Sequence, residues 1–223
     1  MALSQVGFGL KPINKVGSNY NAAQVTEYRG FNAKYGGYNL AFQMPVKVAT
    51  QTGFTSVRPQ YSTTDRITGS FVGCQYVDRN TDKPVFADHV FGSSLPTNNF
   101  NYETETASFF ITDDPYQLYS IKIDSDMTVS AMNGNYFPNY AGDTAASVSA
   151  DQKRSTVKLN TNSSASFNSN AIFKFMHVGS SVDDAEFQGS GTGYNSDILS
   201  AGSNVVVMIN NHRYNAGTGG GTG

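Results

Sequence analysis

The run from Phe109 to Asp124, FFITDDPYQLYSIKID, limits what this chain can fold into more than any other stretch. Tyr119, Ile121 and Ile123 alternate with Ser120, Lys122 and Asp124. Alternation with a period of two puts one set on a buried face and the other on a solvated face, which is the pattern of a strand. Asp113-Asp114-Pro115 interrupts the run. Asp folds its side chain onto the local main chain, and Pro sets φ while removing a donor, so the triplet reads as a turn. The unit is strand, turn, longer strand.

The rest of the chain repeats that theme in shorter pieces. Tyr38–Phe42, Met44–Ala49, Thr68–Val77, Val85–Val90, Thr128–Met132, Ser155–Asn160 and Ala171–Val178 all read as strands, set off by Gly, Asn, Ser and Pro. Gly69 and Gly73 inside one of them predict strong bending, as at a barrel corner. Asn204–Asn210, with Val205-Val206-Val207-Met208-Ile209, is apolar on both faces and reads as a buried strand. Asn133-Gly134-Asn135 reads as a turn, and Thr161–Asn170, nearly all Ser, Thr and Asn, as a surface loop. A short helix is conceivable only around Ala145-Ala146, where Ser and Val148 disfavour it. No repeat recurs at a fixed period. The fold class is all-β, a sandwich or a barrel.

Three parts are expected along the chain: an extended N-terminal arm (1–35), a β-rich body (36–214) and a Gly-rich tail (215–223). The first part has no regular period and too many Gly and Pro for a central strand, yet it keeps Phe8, Leu10, Ile13, Val16 and Tyr20. An irregular segment with spaced apolar residues packs against something. It is either a first strand plus loops of the core or an arm lying on a neighbouring subunit.

Composition narrows the function classes. At 223 residues the chain can bury a core without staples, and 13 Tyr with 15 Phe are not a disordered composition. The net charge of −2 supplies no field for nucleic acid. A single cysteine, Cys74, excludes an internal disulfide and a multi-Cys zinc site; its apolar setting predicts an inert buried thiol. The first residues carry neither a basic region nor an apolar run, so no secretory leader is expected, and no window approaches the ~20 apolar residues of a membrane span.

No catalytic pattern emerges. Asp113, Asp114, Asp124 and Asp126 read as turn-forming acids; they lack the ladder, central Gly and closing Glu of a helix-loop-helix calcium loop, which leaves a surface calcium between Asp124 and Asp126 as the minor alternative. His89, His177 and His212 have no ligand at metal spacing, and His177, in an apolar strand, reads as a satisfied core or interface histidine. Gly7-Phe8-Gly9 lacks the strand-to-helix context of a nucleotide loop. No Gly-x-Ser-x-Gly elbow is present. No cofactor, no metal and no enzymatic activity are expected.

Three stretches carry a family resemblance. Gly7-Phe8-Gly9-Leu10-Lys11-Pro12, then Phe110-Ile111-Thr112-Asp113-Asp114-Pro115 with Tyr119-Ser120-Ile121, then Val205-Val206-Val207-Met208-Ile209-Asn210-Asn211-His212 resemble, in this order and rough spacing, small structural proteins of tailed bacteriophages. These include head decoration (cement) proteins. Residues 50–100 and 140–170 contribute little to the likeness, and no catalytic residue transfers. The resemblance implies a non-enzymatic sandwich or barrel body on the outside of an icosahedral shell, often a homotrimer. It also implies the major capsid protein as partner, no nucleic acid or membrane contact, and synthesis in a host cytoplasm. Phe8, Leu10, Ile13 and Tyr20 are then the expected shell-binding residues. The alternative is a tail or fibre module that recognises host glycans through loop tyrosines.

Overall fold

The chain builds two sets of strands that exchange partners at one corner. The computed structural model describes residues 7–17, 23–30, 40–51, 54–59, 66–78, 81–89, 107–128, 131–132, 134–140, 153–165, 171–179, 187–188 and 198–214. Among these the regular structure is entirely β. The strands are β1 (Lys11–Lys15), β2 (Thr26–Gly30), β3 (Pro45–Gln51), β4 (Phe54–Pro59), β5 (Gly69–Asp78), β6 (Lys83–Ala87), β7 (Ala107–Thr112) and β8 (Gln117–Lys122). They continue as β9 (Met127–Thr128), β10 (Asn135–Asn139), β11 (Lys158–Ala165), β12 (Phe173–Val178), β13 (Phe187–Gln188), β14 (Ile198–Leu199) and β15 (Asn204–Ile209).

The first six-stranded sheet runs β3-β4-β2-β7-β5-β6, and a further pairing of β3 with β5 closes five of these strands into a ring. β5 can serve β3, β7 and β6 because its register shifts between Phe71 and Gly73. A bulge of this kind bends the strand and strengthens its twist. Inside the ring lie Leu40, Met44, Val46, Phe71, Phe109 and Ile111, each almost wholly buried. Cys74 belongs to the same cluster at 2% exposure. Burial pushes its thiol up to about 12, far above the usual range. Native protein is therefore expected to resist a thiol reagent at mildly alkaline pH and to react at one equivalent only after unfolding. Rapid labelling of native protein would contradict that burial.

The second six-stranded sheet runs β1-β8-β15-β12-β10-β11. A parallel bridge from Ile123 to Leu159 joins the end of β8 to β11, and the Asp124 amide donates to Leu159 O at 3.0 Å. The expected alternation in β8 is present: Tyr119, Ile121 and Ile123 are 0% exposed. They meet Val205, Val207 and Ile209 of β15 and Phe173 of β12 in a second cluster. β15 is central in the sheet, between β8 and β12, and Val205, Val206 and Val207, which alternate between its two faces, are all buried. A small sheet, β13-β14-β9, adds Met127 and Leu199 to the same cluster.

Residues 113–116 are the corner between the two systems, since β7 belongs to the first sheet and β8 to the second. The turn has the expected chemistry. Asp114 Oδ1 accepts from the Tyr116 amide at 2.8 Å, and Asp114 O accepts from the Gln117 amide at 3.0 Å. Below it the Tyr119 hydroxyl donates to Thr112 O at 2.9 Å. The strand–turn–strand unit is thus a sheet-switching corner rather than a hairpin.

Several expectations change. The described parts of residues 1–35 are not a detached arm: β1 pairs with β8, and β2 lies between β4 and β7. Gly9, at φ 77° and pressed against Gln43 O and Ser155, lets the chain run this closely along the body. Strand β11 extends through Thr161 to Ala165, where a loop was expected. The Asp124 carboxylate ties its middle by accepting from the Thr161 amide at 2.9 Å and the Thr161 hydroxyl at 3.0 Å. The expected turn at residues 133–135 gives way at Asn135 to strand β10, which includes Pro138. Proline is tolerated there because pairing to β12 stops at Tyr136, so its missing donor faces no ladder on that side. The conceivable helix near Ala145 and the 215–223 tail lie outside the described residues.

Candidate partner-binding face and the inter-sheet cluster

Of the four expected shell-binding residues, two reach a common surface. Phe8 and Ile13 are half-buried and line a pocket of about 480 Å³ on the outer face of the second sheet. Leu10 is 0% exposed and belongs to the chain's own core, so its side chain cannot be the shell contact. Tyr20 lies outside the described residues. Removing residues 1–20 would take away Leu10 and β1 together, which makes that deletion a folding variant rather than a binding test.

The pocket forms because β1, β8 and β15 are neighbours in register. Lys11 stands opposite Ser120, and Ser120 opposite Val206. These lie on the face away from Tyr119 and Ile121, and they form a row from a cation through a hydroxyl to a buried aliphatic. Arg154 closes the wall. Its backbone bridges to Phe42, and its guanidinium sits over the Phe42 ring at 5.5 Å. That stacking holds the cation near the protein surface instead of letting it extend into water.

A separate polar cluster lies at the inter-sheet corner. Asp113, 8% exposed, accepts from Thr26 Oγ1 at 2.6 Å and from the Tyr28 hydroxyl at 2.5 Å. The Tyr28 hydroxyl is also 2.8 Å from that of Tyr214. Burial, reinforced by the bond to Asp113, pushes the Tyr28 phenol far above its ordinary value. Asp114 forms an ion pair with Lys15 at 2.6 Å. Although burial opposes it, the lysine and the Tyr116 amide hold the Asp114 carboxyl below the usual carboxylate range. The cluster joins β1, β2, the corner and the segment after β15.

His212 completes this cluster and is itself 0% exposed. Its Nδ1 accepts from the Tyr214 amide at 3.1 Å, so the neutral ring carries its proton on Nε2. The ring lies near the Thr68 and Asp113 main chains, but no acceptor among the described residues is aligned with Nε2. Burial depresses the histidine pKa, against the opposing pull of Asp113 and Asp114. An unfolded histidine titrates near ~6.5. Between that pH and the lower native value the unfolded chain binds more protons, so stability falls as pH drops through that window. The depressed Asp114 and Asp124 carboxyls act separately, losing their contribution only as pH falls below the ordinary aspartate value of ~3.9. Urea midpoints are therefore expected to decline as pH falls below about 6.5 and to flatten in His212→Asn. An unchanged slope in the variant would remove His212 as the cause.

The remaining candidates carry no chemistry of this kind. Asp124 spends its oxygens on Thr161, Ser125 and Asn139, and Asp126 accepts from the Ala201 amide. Among the described residues no group of three or more His, Cys, Asp or Glu is arranged to hold a metal ion. His177, expected as a core or interface histidine, is exposed and so is not a core residue, because the register shift between Phe175 and His177 breaks the alternation of β12. The buried histidine is His212. Sequence reasoning missed the Tyr28–Asp113–Tyr214 contacts, whose partners stand 85 and 186 residues apart. No local pattern marks them.

No protein-family model, curated protein or solved structure matches the chain.

Proposed function

We propose that this chain is a non-enzymatic structural protein of a tailed-bacteriophage virion, a decoration protein that binds the outside of the capsid and stabilises contacts between shell subunits. One observation carries the reading. Parts of the three stretches behind the family resemblance, far apart in sequence, fall on the neighbouring strands β1, β8 and β15, namely Lys11-Pro12, Tyr119-Ser120-Ile121 and Val205-Val206-Val207-Met208-Ile209. Phe110-Ile111-Thr112 lies on β7 of the first sheet and joins this group through the corner, and the group β1, β8 and β15 carries the pocket lined by Phe8 and Ile13. In this reading the major capsid protein is the partner, the chain acts as a homotrimer, and repetition over many copies lets a modest interface hold a shell together.

A second reading, a tail or fibre module that binds host glycans, is favoured by a different patch. Tyr116 and Tyr214 are 56% and 57% exposed, and both stand at the Asp113-Asp114 corner. Exposed rings beside carboxylates suit stacking on a sugar. The copy number of the chain in purified particles, relative to the major shell protein, separates the two. A simple shell ratio with hundreds of copies is expected; a few to a few tens would move the chain to the tail, and absence from particles would overturn both.

A further inference from the structure

We infer that the pocket over β1, β8 and β15 is a docking site for an acidic segment of a partner protein, one in which carboxylates alternate with aliphatic side chains. Its walls divide by chemistry. Lys11 and Arg154 supply two exposed cations, Ser120 supplies a hydroxyl, and Val206, Ile13 and Phe8 supply apolar surface. Among the described residues no carboxylate lines it, in a chain whose 17 acids outnumber its 15 bases. No Asp or Glu occurs in any strand of the sheet beneath it. Lys122 and Lys158 extend the positive character along the same outer face, next to Ser120 and beside the Gly7 main chain respectively.

Charge complementarity selects the occupant. A like-charged or neutral polar segment would leave the two cations desolvated against the apolar wall, which is costly, whereas a carboxylate between Lys11 and Arg154 gains charge-assisted hydrogen bonds. The pocket volume of about 480 Å³ falls in the range of sites that enclose a few side chains. The aliphatic Ile13 and Val206 favour a peptide side chain over nucleic acid, whose bases would have only Phe8 to stack on. Among the described residues β1 also stands at the end of the sheet order, an edge of the kind an extended segment pairs with, main chain against main chain. The inference deepens the proposed function by giving the partner's chemistry, and the two fail separately: particle copy number tests the virion role, whereas peptide binding tests the pocket.

The experiment uses the full chain and a short fluorescein-labelled peptide of alternating glutamate and leucine, read by fluorescence anisotropy. The controls are the glutamine-and-leucine peptide and a single-stranded oligonucleotide. Saturable binding is expected for the acidic peptide, weakening as salt rises, and little for the glutamine version. Lys11→Glu with Arg154→Glu is expected to weaken binding by about tenfold or more. Lys83→Glu, on an exposed strand of the other sheet, leaves it unchanged. Lys11→Gln with Arg154→Gln, a milder pair, carries the test if charge reversal unfolds the protein. Three results would overturn the inference: no binding, equal binding by the variants, or tighter binding of the oligonucleotide than of the peptide.

Discussion

Gly69→Ala is expected to lower stability by about 3 kcal/mol or more, measured as a shift of the urea unfolding midpoint. The cause is steric. A Cβ at Gly69 would overlap the Thr112 carbonyl oxygen and press on Ile111 Cγ2 at 3.0 Å. The obstacle is main chain on a neighbouring strand, so rotating a side chain cannot relieve it. Gly69 also stands opposite Val46, and the next residue, Ser70, pairs with both Pro45 and Thr112. Three strands therefore meet there, and pushing them apart opens the ring where β3 closes on β5. Gly73, whose Cβ would approach Ala87 O at 2.9 Å next to a peripheral strand, is expected to tolerate alanine better. Near-native stability of Gly69→Ala would mean that the ring does not close as described.

The second large effect is expected at the corner. Asp113→Ala should cost about 2 kcal/mol, because bonds to a carboxylate acceptor are stronger than neutral ones and two of them are lost at a half-buried site. Thr26 and Tyr28 would both lose their bond to Asp113, and with it the tie between β2 and the corner, leaving Tyr28 only its contact with Tyr214. Tyr28→Phe removes the bond to Asp113 and the contact with Tyr214 while leaving Asp113 its bond from Thr26, and is expected to cost about 1 kcal/mol. In a double-mutant cycle the two substitutions should couple by more than about 0.5 kcal/mol. Additive effects would show that the tyrosine–aspartate contact is not made in solution.

The corner also shows what the most legible stretch left open. Asp113-Asp114-Pro115 specifies a turn through local bonds, which sequence reveals, but a turn does not say whether the strands it joins pair with each other. Here they do not. β7 is taken by β2 and β5, and β8 by β1 and β15. The N-terminal segment shows the same limit from the other side. Its apolar residues correctly implied packing, but whether Leu10 would find its own core or a neighbour's depended on a strand more than a hundred residues later. Phe8 and Ile13 stayed at the surface because they fall on the outer face, and only there do they meet Arg154.

The sequence by itself determined the strand class, the burial of Tyr119, Ile121, Ile123 and the β15 valines, the turn at Asp113-Asp114-Pro115 and the inert setting of Cys74. Each depends on the period of two or on local main-chain chemistry, which act over a few residues. The tertiary structure alone decided which strands are neighbours, that His212 rather than His177 is the buried histidine, and that Lys11 and Arg154 share a pocket. Those outcomes depend on register and on bulges: one extra residue in β12 reverses which side chains face the core, and no local preference announces where it will fall.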